Sequence, residues 1–157
     1  MRKHLLLHVL IISFVFILTP TIQAASYLEE QIEAYKQAIS IDPDDANAHY
    51  GLGVAYFNSG MDKEAIEAYK QAIRIDPNYA DAHFGLGNIY CYSGMHKEEI
   101  ESYKKAIRID PDYADAHYNL GLAYVDLNDK VSALEQYKIL KSLDSELANK
   151  LFKLINE

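Results

Sequence analysis

The 157-residue chain has one cysteine, Cys91, and no tryptophan. One thiol closes no internal disulfide, so the fold must rest on packing alone. Basic residues are a minority: 15 Lys and Arg stand against 23 Asp and Glu, a formal charge of −8. No Lys/Arg cluster forms the stripe that displaces counterions from a phosphate backbone, which argues against nucleic acid as a partner. A glycine-rich phosphate loop, a paired-carboxylate motif and a Ser/His/Asp signature are also missing, so the sequence points away from an enzyme.

The chain also lacks an apolar run long enough to span a bilayer. Leu5–Leu18 is about 14 residues, interrupted by His8 and Ser13 and closed off by Pro20, whereas a spanning helix wants about 20. It follows the basic Met1-Arg2-Lys3-His4 and precedes a short, small and polar stretch ending in Ala24-Ala25. That is the anatomy of a secretory signal peptide over residues 1–24. Cleavage after Ala24 and export to a periplasmic or extracellular space are expected, with an uncleaved membrane anchor as the first alternative and a buried core helix as the second. Arg2 and Lys3 leave with the leader, so the remaining chain carries 13 basic against 23 acidic side chains, a charge near −10. Such a surface keeps a protein soluble and steers basic proteins or peptides towards it.

What the chain has in abundance is itself. Ala46 to Gly53, Ala-Asn-Ala-His-Tyr-Gly-Leu-Gly, returns with small changes as Ala80 to Gly87 and as Ala114 to Gly121. Ala46–Tyr79 and Ala80–Tyr113 share about 23 of 34 positions. A period of this length marks stacked supersecondary units, none able to bury its apolar face alone.

Within a unit, Ala48, Leu52, Ala55 and Tyr56 fall on one helical face, and Gly60 supplies a residue free to turn left-handed and end that helix. Ala65, Ile66, Tyr69, Ala72 and Ile73 repeat the helical period over Lys63–Ile75, and Asp76-Pro77 ends it. Asn78 is placed to cap the next helix. Each unit is therefore a helix hairpin.

Leu52-Gly53, Tyr56, Gly60, Ala65, Tyr69, Ala72 and Pro77 resemble the tetratricopeptide repeat pattern, and several of these positions agree in three consecutive units. His49, His83 and His117 stand where that family often has Trp, Asn128 replaces the inter-helix Gly, and Ser145 replaces the terminal Pro. The resemblance implies an all-α fold: a right-handed superhelical solenoid of stacked antiparallel helix hairpins. Its parts are a half repeat over 25–45, whose first helix the leader replaces, full repeats 46–79, 80–113 and 114–147, and a C-terminal capping helix running to 157. The half repeat leaves one face uncovered, which is expected to be simply exposed, with self-association or docking of a partner helix as alternatives.

The resemblance also implies a function, protein–protein interaction through the concave side. Read at steps of three and four, that side carries Asn47, Tyr50, Val54 and Phe57, then Asp81, Phe84, Asn88 and Cys91, then Asp115, Tyr118, Leu122 and Val125. Tyr50, Phe84 and Tyr118 form an aromatic row; Asp81 and Asp115 would select a basic or amine-bearing segment. The family's clamp of Lys, Arg and Asn for a C-terminal carboxylate is absent, which argues against acidic tails as ligands. The expected role is an exported scaffold or adaptor, or the same scaffold tethered in an envelope complex. An enzyme or metal protein is the alternative from another class.

No cofactor or metal is expected. Equivalent residues on stacked hairpins lie about a helix diameter apart, roughly 10 Å, so the three histidines cannot share a zinc whose ligands lie at about 2 Å. They are expected to be partly buried packing residues with a modest pH response. Cys91 has no base or orienting group nearby in sequence, and is expected to pack rather than react. Glu99 stands where Ala65 and Ala133 stand, a slot that by resemblance faces Gly87 at the helix crossing. A carboxylate there is expected to bend out to water or to open the middle hairpin.

Overall fold

The computed structural model describes residues 23, 24 and 26–157. The expected leader, residues 1–24, lies outside them except for its last two positions. Eight helices follow: α1 over residues 26–41, α2 Ala46–Asn58, α3 Asp62–Ile75, α4 Ala80–Tyr92, α5 His96–Ile109, α6 Ala114–Asp126, α7 Lys130–Leu143 and α8 Ser145–Ile155. No strand occurs among the described residues, and no described helix is long and apolar enough to cross a membrane.

Helices α2/α3, α4/α5 and α6/α7 form three hairpins, α3 packs on α4, α5 on α6, and α8 closes the row against α6 and α7. The inter-helix turns take a left-handed residue as the sequence implies: Gly60 has φ 71°, Gly94 φ 67° and Asn128 φ 58°. Asn is the ordinary residue that tolerates this conformation at least cost.

The cores lie between units. One cluster joins Ala65, Tyr69 and Ala72 of the first hairpin to Ala82, Leu86 and Ile89 of the second; another joins Ala133 and Leu140 to Ala148, Leu151 and Ile155 of the last helix. Tyr69, 2 % exposed, lies between Gly53 of its own unit and Gly85 of the next, and a Cβ on either glycine would press on its ring. Tyr103 lies against Gly87 in the same manner, and Tyr35 of α1 against Gly51. Glycine here sets how closely the helices approach. At the N-terminal end Tyr27 and Ile41 are exposed.

Asn78 does not cap α4. Its own N–H donates to Asp76 Oδ1 at 2.9 Å in the loop, and the helix starts one residue later than the cap reading needs, with Tyr79 at the N-cap and no side-chain cap bond. Asp45 holds the equivalent position ahead of α2 and accepts from Asn47 N and Ala48 N, a cap ordinarily worth about 1 kcal/mol. Tyr79 and Tyr113 give up that cap and gain another tie. Tyr79 Oη donates to Asn47 Oδ1 at 2.8 Å and Tyr113 Oη to Asp81 Oδ1 at 2.7 Å, each linking one unit to its predecessor.

Candidate partner-binding groove

The first helices of the three hairpins place the expected row side by side, but most of its members are already engaged. Tyr50 packs its ring against Tyr69 and Tyr79, centroids 5.7 and 5.0 Å away; Phe84 does the same with Tyr103 and Tyr113 at 5.7 and 5.0 Å. Val54 is half-buried against the first core cluster, and Tyr118, Leu122 and Val125 against the last one. Asn47 and Asp81 accept the tyrosine hydroxyls described above. The equivalent tyrosine after the third unit is Leu147, which has no hydroxyl, so Asp115 lacks this tie and is exposed. Burial, reinforced by the bond to Asp81, pushes the Tyr113 hydroxyl up, so it remains a donor at physiological pH.

Four members of the row, Phe57, Asn88, Cys91 and Leu122, come together with Tyr92, Glu99, Tyr103 and Asn119 around a cavity of about 360 Å³ centred on the second unit and reaching both its neighbours. Phe57 and Tyr92 face each other with ring centroids 5.6 Å apart. Asn88 Oδ1 accepts from Tyr103 Oη at 2.9 Å and from Asn119 Nδ2 at 3.0 Å.

Glu99 does not bend out to water. It is 2 % exposed, with Oε2 accepting from His96 Nδ1 at 3.1 Å. Tyr103, not Glu99, is the side chain that a Cβ on Gly87 would meet. Cys91 is exposed rather than packed away. Partial burial of its sulfur, followed by the Glu99 carboxylate beside it, pushes the thiol up to about 11, so it stays protonated and a poor nucleophile.

The histidines act within the scaffold. His49, His83 and His117 each set Nε2 at 3.0, 3.3 and 3.0 Å from a proline carbonyl six residues earlier, fastening the loop before each unit to its first helix. His83 and His117 are buried, at 7 % and 3 % exposed. Burial lowers the pKa of His83 from 6.5; the bond to Pro77 opposes this and Lys105 adds to it. A lowered folded-state pKa means that the unfolded chain binds the proton first, so stability is complete above about pH 6.5 and falls as pH drops through that value. Melting temperature is expected to decline from pH 7 to 5, and His83→Gln to flatten the decline. An unchanged slope in the variant would remove His83 as its source.

Tyr92, Tyr103 and Asn119 line the recess although helical spacing does not single them out, and Glu99 lies inside it rather than out in water. A usable signal was present: Tyr92, Glu99 and Asn119 are positions where the units differ from one another.

A model of the TPR repeat matches residues 28–60, 56–94 and 87–128, and a tetratricopeptide repeat model matches residues 114–146. Two solved structures, titled "Crystal structure of MamA" and "Crystal structure of MamA protein", superpose with TM-scores of 0.71 and 0.70. Each is 26% identical to this chain over 85% of its length, covering 89% and 83% of the MamA chains respectively. A comparison with curated proteins gave no match. With repeat models running from residue 28 to residue 146 over helices that stack as the pattern requires, the chain belongs to the tetratricopeptide repeat family.

Proposed function

We propose that the chain is an exported, non-catalytic scaffold that holds a basic segment of another protein along the concave side of the solenoid, formed by α2, α4 and α6. The observation that carries this reading is the recess centred on the second unit, walled by aromatic rings and lined by no Lys or Arg. Aromatic walls give contact area at small entropic loss, and the surrounding acid, Asp115 included, favours a cationic ligand. Export rests on the leader, which puts the groove outside the cytoplasm if cleaved and beside a membrane if retained.

Replacing Tyr50, Phe84 and Tyr118 would disturb core packing as well as any surface. The clean variant is Asp115→Lys, at an exposed position that does not line the recess. The full chain is used to capture partners from the native cell envelope. A partner held by the parent is expected to bind the variant at least tenfold more weakly, and N-terminal sequencing of the exported bait is expected to begin at Ala25 or Ser26. Unchanged partner binding would move the working surface elsewhere.

A further inference from the structure

We infer that the recess centred on the second unit is a socket for an alkylammonium group, the end of a lysine side chain presented by the partner protein. The inference deepens the groove reading and rests on it.

The second unit departs from the first at 11 of 34 positions. Four of these departures line the one cavity: Asn88 for Val54, Cys91 for Phe57, Tyr92 for Asn58 and Glu99 for Ala65. A fifth, His96 for Asp62, bonds Glu99 from behind. In the third unit Asn119 replaces the glycine found at 51 and 85, and it lines the same cavity. Substitutions accumulating without a common cause would scatter over every face of a solenoid. These converge: Asn88, Glu99 and Asn119 bring polar groups to the floor where other units have Val54, Ala65 and glycine, and Tyr92 adds a ring to the wall.

That floor keeps acceptor capacity for a ligand. Asn88 Oδ1 is occupied twice, by Tyr103 and Asn119, which fixes its orientation. Glu99 accepts from His96 at Oε2, and the Cys91 thiol donates to the same carboxylate, two bonds that leave it lone pairs to spare. Glu99 is among the residues that line the cavity, which puts this spare acceptor capacity within reach of a ligand. A carboxylate held this far from bulk water attracts a cation far more strongly than one at the surface. Phe57, Tyr92 and Leu122 are suited to the methylene stem, and aromatic rings beside it suit a cation. A carboxylate that already holds two donors matches an ammonium, a point charge with three rotatable donors, better than a guanidinium, whose bidentate fork wants both oxygens clear. Cys91, kept as a neutral thiol, adds no charge of its own to the socket.

The test titrates the full chain with the pentapeptide acetyl-Ala-Ala-Lys-Ala-Ala-amide, its Nε-acetyl-lysine form and its arginine form, read by calorimetry and by the rate at which iodoacetamide alkylates Cys91. The lysine peptide is expected to bind, to slow alkylation at least threefold at saturation, and to lose at least tenfold in affinity on Glu99→Gln; the acetylated form is expected to do neither. Should Glu99→Gln fail to fold, Glu99→Ala restores the residue of the other two units and serves the same comparison. Equal binding of the acetylated peptide, tighter binding of the arginine peptide, no binding of the lysine peptide by the parent, or unchanged affinity in the Glu99 variants would each overturn the socket. If partner capture depends on Asp115 but ignores Glu99→Gln, the socket falls and the groove stands; if capture ignores Asp115→Lys, the groove reading itself falls.

Discussion

Gly85→Ala is expected to destabilise the chain by about 2–3 kcal/mol, and to become neutral or slightly stabilising once Tyr69 has been replaced by Ala. Gly85 is inside helix α4, where Ala would ordinarily be favoured by about 1 kcal/mol. The sign reverses because a Cβ would sit 2.7 Å from Cζ of Tyr69 and 2.9 Å from Cε2, and the ring is 2 % exposed with Gly53 on its other side. It has nowhere to retreat. Tyr69→Ala alone removes a buried ring shared by two units and is expected to cost about 3–5 kcal/mol. In that background the added methyl enters vacated space. Denaturant unfolding of the parent, both single variants and the double variant gives the coupling directly. Additive losses would show that the ring is not the obstacle, and that the closeness of α2, α3 and α4 has another origin.

Leu151→Ala is expected to cost about 2–5 kcal/mol, whereas Phe152→Ala, one residue along, is expected to cost less than about 1 kcal/mol. The third unit is closed differently from the others. Gly53 and Gly87 meet the tyrosines of their own second helices, but Gly121 meets Leu151 of α8, while Tyr137 turns to Phe152 at 4.9 Å. Leu151 is fully buried and Phe152 is 45 % exposed. α8 therefore does for the last unit what the following unit does for the others: it covers a face that the hairpin cannot bury alone. With about 2–4 °C of melting temperature per kcal/mol at this size, the two variants separate in a simple thermal melt. Comparable losses from both would mean that α8 is held by its surface rather than through Leu151.

The repeat architecture was legible because its determinants are local and recur: helical spacing, a left-handed residue at 60, 94 and 128, and proline after each second helix. The groove was legible only as a set of positions. Spacing on α2, α4 and α6 identifies which side chains share a face, but not that Tyr50 and Phe84 are clasped by tyrosines 19 and 29 residues away, as their ring contacts show. Asn78 was misread because short-range cap chemistry competes with a bond to Asp76 and with tyrosines that reach back a whole unit. Glu99 was misread because its environment depends on Cys91, His96 and Tyr103, and on how the hairpin brings them together. A buried carboxylate is tolerable only in company, and company is a tertiary property.

The tyrosine wedges have a consequence for how such an array can be assembled. Tyr69 leans on a glycine of the unit that follows it, and the third unit offers Asn119 in that place. Tyr103 accommodates Asn119 because its hydroxyl is drawn to Asn88, where the first unit has only Val54. Excising residues 80–113 would keep every helix in register and still set Tyr69 against a side chain that it has no means to satisfy. Units alike enough to be read as copies are therefore not interchangeable; their order is recorded at the joints.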